Sequence, residues 1–299
     1  MSPRLLVTGR YGQIATALTE RAALDGRFDV VSLGRPQFDL ADPSTVGAAI
    51  EMASPDIIVS AAAYTAVDQA ESEEDLATRM NGLSAGEIAK AAHRLGVPII
   101  HISTDYVFDG LKSTPYLEDD IVAPIGVYGR SKLAGEIAVR AATEEHVILR
   151  TAWVYSPFGK NFLKTMLRLA ETRDSLSIVD DQIGNPTSAL DIADGILTMA
   201  SNILSDNSRM FRGTFHMSGD GAASWADFAE EIFSQARLRN GPFATVKKIA
   251  TSEYPTPARR PANSRLDCSR LRKLHGIISP PWQSSTAQVV ERLLAELRA

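Results

Sequence analysis

Short apolar runs alternate with longer segments of helical periodicity through the first half of the chain. The apolar runs predict strands at Arg4–Thr8, Asp29–Leu33 and residues 56–60, 98–103 and 147–150. Helices are predicted to begin at Gly12, Ser44, Glu74 and Tyr128. Strands and helices that alternate in this way are typical of βαβ units with a parallel sheet. We therefore expect an α/β fold with a doubly wound parallel sheet of the Rossmann type.

The pattern loosens after residue 152. Helices are predicted to begin at Asn161, Leu190 and Ser224, a strand lies near Phe215, and a last helix runs from about Thr286 to Leu297. Residues 180–187 are predicted to form turns, and residues 254–265, rich in Pro and Arg, a loop. We predict a dinucleotide-binding domain in residues 1–152 and a smaller, discontinuous α/β substrate domain mainly in residues 153–299. Residues 176–200 are expected to return to the first domain.

Composition and charge narrow the possible partners. The net charge is −5, so we expect no basic face for nucleic acid or for an anionic membrane. The single Cys268 excludes an internal disulfide, and the five histidines lack the spacing of metal ligands. We therefore predict a cytoplasmic protein without a metal site.

The first predicted strand runs directly into a glycine turn and a helix. The turn consists of Gly9, Arg10, Tyr11, Gly12, Gln13 and Ile14. Glycines let a backbone approach a pyrophosphate, and the helix N-terminus that follows offers free N–H groups to the anion. Ala15 stands where a third glycine would ease the packing of helix on strand. The turn predicts a dinucleotide site, with a purely structural turn as the alternative.

The residues after the second predicted strand bear on which dinucleotide is bound. Arg35 stands there without a carboxylate nearby, and Arg10 is a second cation within reach. Because a cation favours a ribose 2′-phosphate, we expect NADPH, with NADH possible. Arg35 as a solvated loop residue is the alternative. Asp39, followed by Leu40, is a candidate for the adenine, whereas Asp42 before Pro43 suits a helix cap.

Tyr128 and Lys132 are four residues apart on a predicted helix and therefore share one face. An ammonium ion close to the phenol should lower the pKa of Tyr128 and make it a usable acid. Thr104 ends the fourth predicted strand, at the edge of the sheet where ligands bind in open α/β folds. We expect hydride transfer from the nicotinamide, with Tyr128 donating a proton, Thr104 binding the substrate oxygen and Lys132 holding the ribose. A turn-closing role is the alternative for Thr104.

The chain resembles the dTDP-4-dehydrorhamnose reductase family of extended short-chain dehydrogenases/reductases, almost end to end. The similar segments are Gly9 to Ile14, residues 62–68, 103–110, 128–136, 149–155, 181–182, 186–187 and 260–264. Of these, Thr-Asp-Tyr-Val-Phe-Asp-Gly at residues 104–110 is far more specific than the Tyr-Lys pair.

The resemblance implies a site and a substrate. It implies a Thr104, Tyr128 and Lys132 triad that reduces the 4-keto group of dTDP-4-dehydro-L-rhamnose in nucleotide-sugar synthesis. The sugar contacts that it implies are Thr65, Val67, Thr104, Asp105, Tyr106 and Trp153, and the segment beside the cofactor is Ala62, Ala63, Tyr64 and Thr65. For Trp153, a place in the core is an equal alternative.

The chain departs from the family pattern at one place, and two rival functions remain to be compared with the reductase. Residues 15–17 carry no carboxylate of the kind some family members use to bind magnesium between subunits, so we expect a monomer or a weak homodimer without a bridging metal. A nucleotide-sugar dehydratase or epimerase would share the fold, but in such dehydratases Asp-Glu follows the threonine, whereas here Asp105-Tyr106 does. A non-catalytic dinucleotide-binding subunit, like the regulatory subunit of methionine adenosyltransferase, would not require the triad.

Overall fold

The computed structural model describes residues 2–296 of the chain. The strands are β1 (Arg4–Thr8), β2 (Asp29–Leu33), β3 (Ile57–Ser60), β4 (Ile99–Thr104), β5 (His146–Thr151), β6 (Val154–Tyr155), β7 (Ser175–Val179), β8 (Ile183–Gly184), β9 (Thr187–Ser188), β10 (Gly213–His216), β11 (Ala223–Ser224) and β12 (Thr245–Ile249). The helices are α1 (Gln13–Asp25), α2 (Val46–Ala53), α3 (Val67–Ala70), α4 (Glu74–Thr78), α5 (Ser84–Leu95), α6 (Val127–Ala142), α7 (Phe162–Ala170), α8 (Ala189–Ser205), α9 (Trp225–Leu238), α10 (Ser269–His275) and α11 (Trp282–Glu296).

Within the described residues, a six-stranded parallel sheet forms the centre of the molecule, in the order β10-β5-β4-β3-β1-β2. Alternate residues of a strand face opposite sides of a sheet. In β1, Leu5 and Val7 therefore pack with α1 and α8, while Leu6 packs with α2 and α5 on the other face. Helices cover both faces, which confirms the predicted doubly wound fold.

A second apolar cluster lies beside the large sheet. It joins α7, α9 and α11 to the parallel strand pair β7 and β12, with Phe228 and Val290 among its fully buried members. Helix α9 starts from a capping box in which Ser224 and Asp227 satisfy each other's backbone N–H groups. This cluster is the smaller α/β unit of the fold.

The two units interleave along the chain. Helix α8 packs against α1, and β10 pairs with β5 in the large sheet, although both lie beyond residue 152. Strand β7, within residues 176–200, instead pairs with β12 in the smaller unit. The domain boundaries given above stay a prediction.

Several predicted element limits need correction. Residues 180–187 contain the short strands β8 and β9, because Ile183 and Thr187 pair with segments distant in sequence. The helix predicted from Ser44 begins as a single 3₁₀ turn, Pro43–Thr45, capped by Asp42, before α2. Helix α11 begins at Trp282 rather than near Thr286, and Leu297 lies outside the described residues.

The described part of the chain contains neither a helix suited to span a membrane nor a cluster of side chains suited to bind a metal ion. None of its helices is both long and apolar enough to cross a membrane. No group of three or more His, Cys, Asp or Glu side chains among residues 2–296 is arranged to hold a metal ion.

Candidate active site

The glycine turn lies between β1 and α1, at the carboxyl edge of the sheet. Gly9 has a φ of 97°, a conformation that favours glycine, and its N–H donates to Leu33 O at 2.6 Å. Gly12 caps α1 without any side-chain hydrogen bond to the first turn. Gly12 and the neighbouring Tyr11 are exposed. The turn therefore leaves the first N–H groups of α1 open to an anion, which fits a pyrophosphate.

Gln13 makes contacts that the sequence did not indicate. Its amide nitrogen donates to Val154 O at 3.3 Å, and its amide oxygen accepts from Ser156 Oγ at 2.7 Å and from Asn161 Nδ2 at 3.0 Å. Ile14 packs against the core of the large sheet. Gln13 thus ties the glycine turn to the segment after β5, and its side chain is already engaged by protein.

One cation, Arg10, belongs to the glycine turn, and a second, Arg35, follows the end of β2. The aliphatic part of Arg10 lies against Gly34, where a β-carbon would come within 3.0 Å of Arg10 Cγ. Arg35 is exposed, and within residues 2–296 neither Arg10 nor Arg35 makes an ion pair. Both guanidinium groups are therefore available to a ligand bound at the turn.

Asp39 and Leu40 lie beyond this point and are largely used by the fold. Asp39 Oδ1 accepts from Ala41 N at 3.0 Å, which closes a local turn. Leu40 is buried in the core, and its carbonyl oxygen accepts from Ser84 Oγ at 2.7 Å. The Leu40 side chain is therefore used by the core, which leaves its backbone for a contact with a cofactor.

The segment after β3 runs beside the glycine turn. Ala61 and Ala62 donate their N–H groups to Thr8 Oγ1 at 3.0 Å each, and a β-carbon on Gly9 would lie 3.5 Å from Ala62 Cβ. Ala63 is half-buried and Thr65 exposed, whereas the Tyr64 ring is buried and its hydroxyl donates to Glu73 Oε2 at 2.8 Å. The backbone of this segment, rather than the Tyr64 ring, faces the turn.

Thr104, Tyr128 and Lys132 meet at the carboxyl end of β4. Tyr128 lies in the first turn of α6, and its side chain is close to that of Thr104. Lys132, one turn later, donates from Nζ to the Ile102 carbonyl oxygen at 2.6 Å. The three side chains that the sequence singled out are thus gathered at one point of the sheet.

A glycine allows this close approach. A β-carbon on Gly129 would lie 2.2 Å from the Tyr106 carbonyl oxygen and 2.9 Å from Pro124 Cβ. Any larger residue would push α6 away from the segment that follows β4. The glycine between Tyr128 and Arg130 is therefore required by packing.

The pKa of Tyr128 differs from the expectation. Burial raises it to about 12, the charge of Asp105 adds to the rise, and the nearby Thr104 hydroxyl opposes it. Lys132 is itself buried, which lowers its pKa to about 8. The prediction that the lysine holds the pKa of Tyr128 below its ordinary value is wrong for this structure. Desolvation and the charge of Asp105 set the direction of the shift, while Lys132 donates to Ile102 O.

Asp105 is a buried carboxyl beside the triad. It accepts from Thr104 Oγ1 at 2.9 Å, while its Oδ2 is buried without a hydrogen-bond partner. Burial raises its pKa from 3.8 to about 6, since the nearby Ser264 and Thr104 hydroxyls offset only part of the desolvation. The Tyr106 ring meets the Tyr128 ring edge to face, with centroids 5.6 Å apart. Asp105 and Tyr106 therefore adjoin the triad, and their contact with a sugar stays a prediction.

A loop, residues 254–265, lies against this edge of the site. Arg260 donates to both carboxylate oxygens of Asp68, at 3.1 and 2.8 Å, and so fastens the loop to α3, which begins at Val67. Asn263 donates from Nδ2 to the Lys112 and Thr114 carbonyl oxygens at 2.6 and 3.0 Å. These contacts bring Ser264 next to Asp105.

Trp153 contributes to the site and to packing. Its φ is 46°, which is unusual for a large residue and recurs at functional sites. Its indole stacks on Trp225, with centroids 3.6 Å apart and ring planes 4° from parallel, and it packs against Gly184. The side chain is half-buried. Trp153 therefore has one face in the core and keeps an exposed part.

The sequence analysis did not single out three residues of this region. Asn81, buried in the π-helical segment Arg79–Leu83, accepts from Tyr64 N at 2.8 Å and donates to Ser131 Oγ at 2.9 Å. Glu136 is buried one turn beyond Lys132, and Trp225 stacks on Trp153. Only Glu136 had a sequence signal, namely its spacing of four from Lys132.

A doubly wound sheet with a glycine turn after β1 and a Tyr-Lys pair on α6 defines the class as the NAD(P)-dependent short-chain dehydrogenases/reductases. The family model described as RmlD substrate binding domain matches residues 3–295. The dTDP-4-dehydrorhamnose reductase of Sinorhizobium fredii is 55% identical over 98% of both chains. The chain therefore belongs to the dTDP-4-dehydrorhamnose reductase family, which confirms the resemblance.

Solved structures agree with this assignment. A dTDP-4-dehydrorhamnose reductase from Clostridium acetobutylicum superposes with a TM-score of 0.89 at 36% identity, covering 97% of this chain and 99% of the other. One from Bacillus anthracis, in complex with NADP, gives a TM-score of 0.87 at 35% identity over 99% and 100% of the two chains.

Proposed function

We propose that this oxidoreductase reduces the 4-keto group of dTDP-4-dehydro-L-rhamnose to give dTDP-L-rhamnose, with NADPH as the reductant. The observation that carries the proposal is the meeting of Thr104, Tyr128 and Lys132 at the end of β4, on the same sheet edge as the open glycine turn. The names of relatives that cover the whole chain support the substrate.

The proposed cofactor site is the glycine turn with its neighbours. The free N–H groups after Gly12 would bind the pyrophosphate, and Arg10 and Arg35 would bind the 2′-phosphate. The other proposed contacts are Gly9, Tyr11, Gln13, Ile14, Asp39, Leu40, Ala62, Ala63, Tyr64 and Thr65. When bound, NADPH supplies the hydride. NADH is the second candidate.

Tyr128 is proposed to donate the proton. With its pKa at about 12, the phenol is protonated at neutral pH, so the proton needed by the C4 oxygen is in place. Thr104 is proposed to hydrogen-bond the same oxygen, and the Lys132 ammonium to hold the nicotinamide ribose and stabilise the phenolate as it forms. The negative charge that develops on the substrate oxygen is thereby neutralised within the site.

The sugar is proposed to lie between the triad and the loop of residues 254–265. Asp105, Tyr106 and Trp153 would contact it from one side, and Thr65 and Val67 from the other. The fixed positions of Asp105 and Tyr106 beside Tyr128 support this. A second acid such as the glutamate of dehydratases does not follow Asp105, which favours simple reduction.

We keep three further predictions with this function. The cytoplasm is the proposed location, supported by the single cysteine. A monomer or weak homodimer without a bridging metal is the proposed state, supported by the lack of carboxylates at residues 15–17. Neither nucleic acid nor a membrane is a proposed partner, in line with the net charge of −5.

The test is to incubate the protein with the 4-keto sugar nucleotide and to follow NADPH absorbance, with the product identified by NMR. Loss of absorbance that matches formation of dTDP-L-rhamnose is expected. A 6-deoxytalose product would correct the stereochemistry, because the face of the ketone is set by sugar orientation. NADPH left unconsumed while the substrate is dehydrated, epimerised or untouched would contradict the proposal.

A further inference from the structure

Helix α6 is fastened to β4 through two charged side chains one turn apart. Lys132 Nζ donates to the Ile102 carbonyl oxygen at 2.6 Å, and Ser103 Oγ donates to Glu136 Oε1 at 2.6 Å. Ile102 and Ser103 are consecutive on β4, and the next residue is Thr104. The pair of contacts therefore sets the position of α6 along the strand that ends in the triad.

Glu136 is held on its other side by arginines. Arg150 donates from Nε and Nη2 to the two carboxylate oxygens of Glu136 at 2.8 Å each, and Arg140 donates to Oε2 at 2.9 Å. Arg150 lies on β5 directly opposite Ser103 on β4. The side chains of Glu136 and Arg150 are 0% and 2% exposed. Such a pair is costly to bury, and an apolar pair of similar volume would often serve stability as well.

We propose that Glu136 is a positioning residue for the reduction: held by Arg150 and Ser103, it fixes α6 so that Tyr128 and Lys132 meet Thr104, and it keeps a negative charge beside the Lys132 ammonium. This inference rests on the function proposed above. Glu136 itself touches neither Thr104 nor Tyr128, so it acts through the helix and through its charge.

The charged groups around Lys132 support the proposal that the Glu136 carboxylate stabilises the Lys132 ammonium. The titratable and charged groups that face it, directly or through one neighbour, are Tyr128, Glu136 and Arg140 on α6, His101 on β4, Asp105 after β4, and His146 and Arg150 on β5. Burial lowers the pKa of Lys132 to about 8, and the charge of Glu136 opposes this. His101 is held neutral, since burial and the charge of Lys132 lower its pKa well below the ordinary value.

Removing the negative charge of Glu136 and removing the positive charge of Arg150 should shift the pKa of Lys132 in opposite directions. In Glu136→Gln, the remaining arginines disfavour the ammonium, so Lys132 should lose its proton at lower pH. The alkaline limb of the kcat profile should then move down by about one pH unit. In Arg150→Met, the Glu136 carboxylate has lost its main cationic partner and should stabilise the Lys132 ammonium more strongly. The alkaline limb of the kcat profile should then move to higher pH. Titration of the Lys132 ε-carbon by ¹³C NMR gives the same shifts without turnover.

A double variant and a hydrogen-bond variant guard against loss of folding. Glu136→Gln with Arg150→Met leaves neither charge of the pair unpaired, so it should fold, and its kcat should fall several-fold because the position of α6 is lost. Ser103→Ala removes only the contact with β4, and it should lower kcat while leaving the alkaline limb in place. Asp194→Asn, which breaks an ion pair with Arg21 on the far face of the sheet, is the matched control and should change neither quantity.

The outcomes separate this inference from the proposed function. An unmoved limb and an unmoved Lys132 titration in both single variants, or shifts in the same direction, would overturn the role of the charge. Full kcat in the folded double variant would overturn the positioning role. A protein that never reduces the 4-keto sugar, yet shows the opposite NMR shifts, would instead refute the proposed function.

Discussion

Thr104, Tyr128 and Lys132 are carried by a central strand and a long helix, whereas the neighbouring side of the site is carried by a loop, residues 254–265, and by the segment after β5. The triad is fixed by buried contacts such as those of Lys132 with β4. The loop is fixed by the half-exposed pair of Arg260 and Asp68 and by hydrogen bonds to backbone oxygens. The proposed catalytic residues thus lie on regular elements, and the proposed sugar-binding surface lies on a loop, a kind of segment that tolerates variation.

The largest effect on activity is expected from a change in the triad carried by β4 and α6. Tyr128→Phe should lower kcat by about 10²- to 10⁴-fold, because the proton donor is removed while the ring still packs. Steady-state NADPH oxidation with the 4-keto substrate measures this. The Kd for NADPH, from fluorescence titration, should stay within about twofold, and full turnover in this variant would remove Tyr128 from the mechanism.

Asp105 lies between the triad and the loop of residues 254–265, and ionisation of its buried carboxyl should lower the free energy of unfolding. Its folded pKa is raised from 3.8 to about 6, so the native state binds the proton more tightly than the unfolded state. The free energy of unfolding should therefore fall by about 2 to 3 kcal/mol as pH rises from about 4 to about 6. Urea denaturation at several pH values measures this slope.

The matched variant is Asp105→Asn. It should flatten that slope and raise stability at pH 7, while weakening binding of the sugar nucleotide. A slope that persists unchanged in Asp105→Asn would mean that another carboxyl is responsible.

The preference for NADPH over NADH tests whether Arg10 and Arg35, which make no ion pair within the described residues, bind the 2′-phosphate. Arg10→Ala and Arg35→Ala should each raise the Kd for NADPH by about 10- to 100-fold, because a charged hydrogen bond to a phosphate contributes about 1.5 to 3 kcal/mol. Affinity for NADH should change little. Arg27→Ala, which breaks an exposed pair with Asp25 at the far end of α1, is the control. Equal losses for both cofactors would contradict a role in selecting the 2′-phosphate.

The smallest effect on stability and activity is expected from a change that loosens the loop of residues 254–265. Asp68→Asn weakens the pair with Arg260, whose partners are 42% and 22% exposed, so stability should fall by less than about 1 kcal/mol. The KM for the sugar nucleotide should still rise a few-fold, because the loop that carries Ser264 is loosened. Glu51→Gln, in an exposed pair with Arg94, should leave KM alone. An unchanged KM in Asp68→Asn would separate the loop from substrate binding.

The regular elements that carry the triad could be predicted from the sequence, whereas the contacts that fix the loop side of the site could not. The first five strands and the triad follow local patterns, since β1 and β2 match their predicted limits and the spacing of Tyr128 and Lys132 is set by one helix. The stacking of Trp225 on Trp153 and the pairing of Arg260 with Asp68 join residues far apart in sequence. No local pattern carries that information. The pKa of Tyr128 was missed because it depends on burial, which spacing does not reveal.

A crystal structure of the protein with NADPH and dTDP tests the central claim most directly. We expect the pyrophosphate on the N–H groups after Gly12, and the nicotinamide ring beside the Tyr128 hydroxyl with Lys132 Nζ turned to its ribose. A nicotinamide bound at the sheet edge but out of reach of both Tyr128 and Lys132 would contradict the account.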